Sequence, residues 1–185
     1  MKAMEKQLKS ISKYLSYILR HNPGAIGLAL DDAGWAVLDE LIEKANTTVK
    51  RLDDELIRLI VETNDKQRFS ISECGLMIRA NQGHSIEIEL GLLSIVPPKV
   101  LLHGTAEKFI ASINRDGLRK RNRHHVHLTE NASTAKVVGG RYGKPVLLSI
   151  DAEAMQRDGF EFYQSANGVW LVDEVPSQYI STDYV

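Results

Sequence analysis

Val100-Leu101-Leu102-His103-Gly104-Thr105 is an aliphatic run that turns polar at its end. The apolar half suits a buried strand. Gly104 permits close backbone approach, while His103 and Thr105 place hydrogen-bonding groups at the strand's edge. A plain strand-to-helix turn, with Thr105 capping the next helix, would have the same composition. Working outward, residues 125–129, 145–151 and 168–172 also read as strands bounded by turn residues. Residues 106–115 and 132–141 read as helices between them, and Pro97-Pro98 marks a boundary just ahead. The spacing predicts an α+β domain over residues 98–185, built on a bent mixed sheet.

The first half has a different pattern. Leu8, Ile11, Leu15, Ile18 and Leu19 recur at helical spacing until Asn22-Pro23-Gly24 stops the run. A short strand near residues 28–30 is expected, then the turn Asp31-Asp32-Ala33-Gly34 before Trp35. Leu38, Leu41, Ile42 and Ala45 predict a second helix, and Leu52, Leu56, Leu59 and Ile60 a third. Residues 68–71 and 77–79 flank Glu73-Cys74-Gly75 as a β-hairpin. Three short helices followed by a hairpin is the order of a winged-helix unit, here over residues 1–85 with a linker at 86–97.

Composition bounds the function. The chain has 185 residues, 43% hydrophobic and 25% charged, an ordinary globular balance. No apolar run is long enough to span a membrane, and the first ten residues carry Lys2, Lys6 and Lys9 but no apolar block of a secretory signal. Cys74 is the sole cysteine, which excludes an internal disulfide and any cysteine zinc cluster and favours a cytoplasmic protein. The net charge of −1 argues against a general nucleic-acid coat protein. It hides a basic strip: Arg115, Arg119, Lys120, Arg121 and Arg123 against the single acid Asp116, with His124, His125 and His127 close by. From residue 151 onward seven acids face one base, Arg157. A strip of this kind can hold a phosphate locally.

Several short constellations could carry chemistry. Arg20-His21 falls where the first helix ends, so Arg20 could simply complement the helix dipole. Alternatively, a guanidinium fork and an imidazole converge there on an anion. Arg68 leads into the strand Phe69-Ser70-Ile71, and by itself is an ordinary surface base. Arg123-His124-His125-Val126-His127-Leu128 would place His125 and His127 on one strand face. Two histidines at this spacing need a further ligand to bind zinc, and none is indicated. Ser165-Ala166-Asn167-Gly168-Val169-Trp170-Leu171 is a turn before an apolar strand, and Arg79-Ala80-Asn81-Gln82-Gly83-His84-Ser85 a polar, glycine-containing segment.

In their order along the chain, Leu15-Ser16-Tyr17-Ile18-Leu19-Arg20-His21, Lys66-Gln67-Arg68-Phe69, the 79–85 segment, His103-Gly104-Thr105, the 123–128 segment and the 165–171 segment resemble the tRNA 2′-phosphotransferase family. The resemblance runs from about Leu8 to Leu171. It implies a winged-helix lobe followed by an NAD-binding lobe of ADP-ribosyltransferase type. It also implies transfer of an internal RNA 2′-phosphate to NAD⁺ as co-substrate, giving a 2′-hydroxyl, nicotinamide and ADP-ribose 1″,2″-cyclic phosphate. The family's essential Arg-His-Arg-Arg set corresponds to Arg20, His21, Arg68 and Arg123; the Arg-x-His-Val-His-Leu spacing selects Arg123 over Arg121. His103, Gly104, Thr105 and His127 are expected to contact the NAD ribose and nicotinamide, with Asn167 and Gly168 nearby and Arg141 at the pyrophosphate.

Protein-modifying relatives of that fold usually carry a catalytic glutamate on a late strand, whereas Asn167-Gly168-Val169-Trp170 offers no acid. A phosphate monoester near neutral pH is already mostly dianionic and needs no such base. The resemblance therefore implies no metal, no membrane, no obligate protein partner, and an RNA bearing a 2′-phosphate, tRNA-like, as substrate. Two other functions fit parts of the sequence. An ADP-ribosyltransferase that caps a terminal phosphate would use the same arginines. A non-catalytic DNA-binding regulator would account for residues 1–85 and leave residues 103–127 unexplained.

Overall fold

A computed structural model describes residues 2–48, 51–64 and 66–183. It is a mixed α+β protein whose contacts divide into two compact units, with the boundary between Gly91 and Leu92.

In the first unit, α1 (Lys2–Arg20) buries Ile11, Leu15, Ile18 and Leu19 along one stripe. The helix ends where Asn22 precedes Pro23, whose fixed φ starts a 3-10 turn over Pro23–Ile26. Residues 28–30 are not the strand expected there. The Leu28 amide closes that turn on the Pro23 carbonyl, and Leu28 is buried as part of a loop. The strand comes later, as β1 (Trp35–Val37), after Asp31 ties the turn by accepting from the amides of Ala33 and Trp35.

Helix α2 (Leu38–Thr48) buries Leu38, Leu41 and Ala45. Helix α3 (Asp54–Thr63) is capped by Asp53, which accepts from the Leu56 amide. Leu52 lies ahead of this helix but is buried, as is Ile60; Ile57 joins them in the core, while Leu56 and Leu59 are only partly buried. Strands β2 (Phe69–Ile71) and β3 (Met77–Ala80) form the expected hairpin, and β1 pairs with the far side of β3. Phe69, Ile78, Ala80 and Ala36 face the helices and complete one core.

The second unit opens with β4 (Val100–Ala106), a 3-10 turn at Glu107–Phe109 and α4 (Ile110–Asp116). Thr105 lies within β4 and caps nothing; the turn starts after Ala106 and has no side-chain cap. There follow β5 (Leu118–Arg119), β6 (Val126–Leu128), α5 (Ala132–Gly139), β7 (Pro145–Asp151), α6 (Ala152–Arg157), β8 (Tyr163–Gln164), β9 (Trp170–Val172), β10 (Glu174–Val175) and β11 (Ile180–Asp183). Helix α5 is capped by Asn131 and ends in a 3-10 turn, Gly140–Tyr142.

The anticipated bent mixed sheet is instead a set of small sheets, ordered β11-β7-β4, β6-β9-β8 and β10-β5, and every pairing is antiparallel. Most of these strands run only two to four residues before a turn, too short to hold one continuous sheet. A single bridge, Leu102 to Thr129, joins β4 to the chain leaving β6. Leu101, Leu128, Leu148, Ile150, Phe162, Trp170 and Val172 form the second core.

Helix α5 packs directly on β4 and β7. A Cβ on Gly104 would collide with the Ala135 carbonyl, so the close approach this glycine provides is to the protein's own helix. No helix of the described residues is long and apolar enough to cross a membrane. Leu148 sits fully buried on the central strand of its sheet. Leu148→Ala should lower the unfolding free energy by about 2–5 kcal/mol, as buried leucine truncations do, measured by urea denaturation.

Candidate active site

In the first unit the Arg20-His21 pair stands at the end of α1, and chain segments far away in sequence hold it there. Arg20 Nη2 donates to the Arg68 carbonyl at 3.4 Å. The Arg20 carbonyl, one of the orphan acceptors at a helix C-terminus, takes the Ser85 amide at 2.9 Å. His21 Nδ1 lies 2.9 Å from Ser85 Oγ.

Arg68 is set just as firmly. Its Nη1 donates to Asn64 Oδ1 at 3.1 Å, and Asn64 in turn donates to the buried Ser12 hydroxyl at 2.9 Å. The Arg68 carbonyl also receives the Asn81 amide at 2.9 Å. Asn81, itself buried, donates to the Gln67 carbonyl and accepts from Ser70 Oγ, both at 2.6 Å. Gln67 has φ of +40°, a left-handed conformation that costs a non-glycine residue energy. The amide of Asn81 fixes that bend and so aims the next residue, Arg68. The first unit thus brings together Arg20, His21 and Arg68, three of the four residues matched to the Arg-His-Arg-Arg set.

In the second unit the histidines of β4 and β6 are locked by their partners. His103 Nδ1 is 3.0 Å from the His127 carbonyl. A carbonyl only accepts, so His103 carries its proton on Nδ1 and presents Nε2 as an acceptor. Arg123 Nη1 is 2.8 Å from His127 Nδ1. A guanidinium only donates, so His127 takes the opposite tautomer, with its proton on Nε2. The His103 ring keeps some exposure at its edge yet is mostly enclosed by protein. Desolvation holds its pKa below the ordinary histidine value, partly opposed by the bond to the His127 carbonyl, and the Arg123 charge lowers it further.

Arg123 and His127 therefore stand together with His103, whereas the other assigned residues are more dispersed. Thr105 is buried, Gly104 serves the α5 packing, and Arg141 is exposed in the turn after α5. Asn167 and Gly168 form the tight turn into β9. There Ser165 Oγ donates to Asn167 Oδ1 at 2.7 Å, and Gly168 takes the positive φ of 75° that the turn requires.

Much of the basic strip is neutralised within its own unit. Arg119 pairs with Glu174, Lys120 with Asp173 at 2.9 Å, and Arg115 with Asp116 at 2.7 Å. The acid-rich C-terminal stretch thus meets the basic strip, leaving Arg123 as the member joined to a histidine. His125 lies against Tyr163, with ring centroids 5.7 Å apart, and burial lowers its pKa. A cavity of about 490 Å³ beside it is lined by both signs of charge, including Lys120, Arg121, Glu161 and Asp173, which does not suit an anion.

Among the described residues no cluster of three or more His, Cys, Asp or Glu could hold a metal ion. Sequence reasoning gave no role to Asn64, Asn81 or Ser85. Asn81 and Ser85 sit in a segment whose polarity was visible, but their partners lie on the Arg68 loop and at the end of α1.

Because His103 is held neutral in the fold, the unfolded chain binds its proton more tightly. Stability should therefore fall as pH drops below about 6.5, the ordinary histidine value. His103→Asn, whose amide can still donate to the His127 carbonyl, should flatten that slope in urea denaturation at pH 7.5 and 5.5.

A sequence profile of the RNA 2′-phosphotransferase, Tpt1/KptA family matches residues 6–174. A protein of Acaryochloris marina named probable RNA 2′-phosphotransferase is 54% identical over 176 residues, covering 95% of this chain and 97% of the relative. One from Flavobacterium johnsoniae with the same name is 53% identical over 176 residues, with coverage of 95% and 97%. One from Pseudomonas fluorescens, again of that name, is 53% identical over 177 residues with the same coverage. Arginines and histidines ordered at the end of α1, ahead of β2 and β6, and within β4 and β6 thus coincide with a family match spanning nearly the whole chain, and the chain belongs to the RNA 2′-phosphotransferase family.

Proposed function

We propose that this enzyme removes an internal RNA 2′-phosphate by transferring it to NAD⁺, with a winged-helix lobe in its first half and an ADP-ribosyltransferase-like lobe in its second. The observation that carries this reading is the chain of contacts from His103 through His127 to Arg123. It sets a neutral acceptor at His103 Nε2 and a neutral donor at His127 Nε2 on neighbouring strands. Neutral, directional groups of this kind suit ribose hydroxyls and a carboxamide. His103, Thr105 and His127 are assigned to the NAD ribose and nicotinamide, with Gly104 giving the strand its packing there. Asn167 and Gly168 are assigned nearby, and Arg141 to the pyrophosphate.

The substrate phosphate is a dianion, so its attack on the nicotinamide ribose needs alignment rather than a base. Arg20, Arg68 and Arg123 hold the phosphate and offset its charge. One phosphate oxygen bonds to C1″ as the C1″–nitrogen bond breaks and nicotinamide leaves. That gives ADP-ribosylated RNA. In the second step the ribose 2″-oxygen bonds to phosphorus and the bond from phosphorus to the RNA 2′-oxygen breaks. The 2″-hydroxyl loses a proton and the 2′-oxygen gains one, which is work for His21. The arginines stabilise the charge on the five-coordinate phosphorus, the role a metal ion often fills. Terminal capping of RNA would stop after the first step, with no free cyclic phosphate.

Incubation with NAD⁺ and an oligonucleotide carrying one internal 2′-phosphate should consume one NAD⁺ per phosphate removed and yield ADP-ribose 1″,2″-cyclic phosphate, undiminished by EDTA. Phosphate removal without NAD⁺ would refute the assignment. His21→Ala should slow the second step by about 10²–10⁴, the usual cost of losing a general acid–base, so ADP-ribosylated RNA accumulates on a gel. Arg123→Ala should slow both steps.

A further inference from the structure

The 79–85 segment has no part in the mechanism so far, yet it reaches three of the residues that do, Arg20, His21 and Arg68. It leaves β3 at Ala80, and two of its side chains are anchored in the first unit: Asn81 and His84 are both buried. Asn81 ties the segment to the Gln67 and Arg68 carbonyls. Four residues later Ser85 arrives at the end of α1, where its amide donates to the Arg20 carbonyl and its hydroxyl lies 2.9 Å from His21 Nδ1.

The two Ser85 contacts act together. The backbone bond uses an acceptor that the helix end leaves without an intrahelical donor, so the serine is fixed by α1 itself. The hydroxyl then meets one chosen nitrogen of the next residue's ring. A histidine that must both take and give a proton works through a single nitrogen in both states if the other keeps its proton throughout. An acceptor at Nδ1 produces that condition, since Nδ1–H is present in the imidazolium and in one neutral tautomer.

We propose that Ser85 is a positioning residue for His21: its hydroxyl accepts from Nδ1–H, fixes the ring's orientation and tautomer, and assigns proton transfer to Nε2. This inference rests on His21 serving the second step. In that step Nε2 of the neutral ring takes the proton of the 2″-hydroxyl, and Nε2–H of the imidazolium returns one to the departing RNA 2′-oxygen. The Nδ1 proton stays on the Ser85 side throughout.

The test follows single turnovers of NAD⁺ with a 2′-phosphorylated oligonucleotide for the wild-type enzyme and for Ser85→Ala, Ser85→Thr and His21→Ala. Misorienting a catalytic group costs up to about 100-fold. In Ser85→Ala the decay of ADP-ribosylated RNA should therefore slow by about 10- to 100-fold relative to its formation. Ser85→Thr, which keeps the hydroxyl, should restore most of the loss. Nitrogen-15 NMR of the His21 ring gives a readout that a purely structural serine would not move. The neutral ring should carry its proton on Nδ1 in the wild type and shift toward the mixed tautomers of a free imidazole in Ser85→Ala. Normal decay of the intermediate in Ser85→Ala, beside a stalled His21→Ala, would overturn the inference and leave the role of His21 intact. Equal slowing of both steps, or no rescue by threonine, would make Ser85 a support of the local fold and overturn it as well. A His21→Ala enzyme that forms no intermediate would remove the reading beneath it.

Discussion

The hydrogen bond from His103 to the His127 carbonyl links two sheets that pack into one core. Beside it, among the described residues, one bridge at Leu102 and Thr129 pairs β4 with the chain leaving β6. Because a side chain supplies the bond, an interaction that helps join the two sheets also decides which nitrogen of His103 is left as an acceptor. Arg123 then fixes His127 in the complementary tautomer. Structure and chemistry are coupled here through one proton: a charged His103 ring would gain a second donor in surroundings that disfavour charge.

The first unit reaches the same end with backbone. The Arg68 carbonyl is the common acceptor of the Asn81 amide and Arg20 Nη2, so one oxygen sets the spacing between the two arginine-bearing segments. Two guanidinium groups on neighbouring segments repel one another unless something organises them. Neutral acceptors, a carbonyl and the Asn64 amide, do so here without cancelling the charge of either guanidinium. The left-handed bend at Gln67 is part of that arrangement, and the buried Asn81 supports it.

How much of this was legible in the sequence follows from the range of each interaction. The end of α1, and hence the place of Arg20 and His21, was readable because helical periodicity stops abruptly at Asn22-Pro23. The β2–β3 hairpin and the strands at 100–106 and 145–151 were readable for the same local reasons. The strand expected at Leu28 and Leu30 is absent because these leucines pack on the core from a loop. Strands such as β5, β8 and β10 are two residues long and exist only through their partners, so no periodicity could announce them. Gly104 was correctly marked as a close-approach glycine, but its neighbour is the Ala135 backbone. Asn64 reaches Arg68 from only four residues away, but nothing local could indicate that it is anchored on Ser12 or that Ser85 meets His21 at the end of α1, since those contacts are tertiary.

The pairing of the basic strip with the acid-rich C-terminal stretch bears on how the enzyme meets polyanions in general. A nucleic acid gives up condensed counterions for every uncompensated cation that docks on it, and this entropic release drives indiscriminate, salt-sensitive adhesion. Arg119, Lys120 and Arg115 already have carboxylates of their own chain and bring little charge to such an exchange. Within the strip, Arg123 is instead directed at the His127 ring. A protein that must find one phosphate among the many along an RNA backbone is served by this economy, since adhesion to every other phosphate would only lengthen the search.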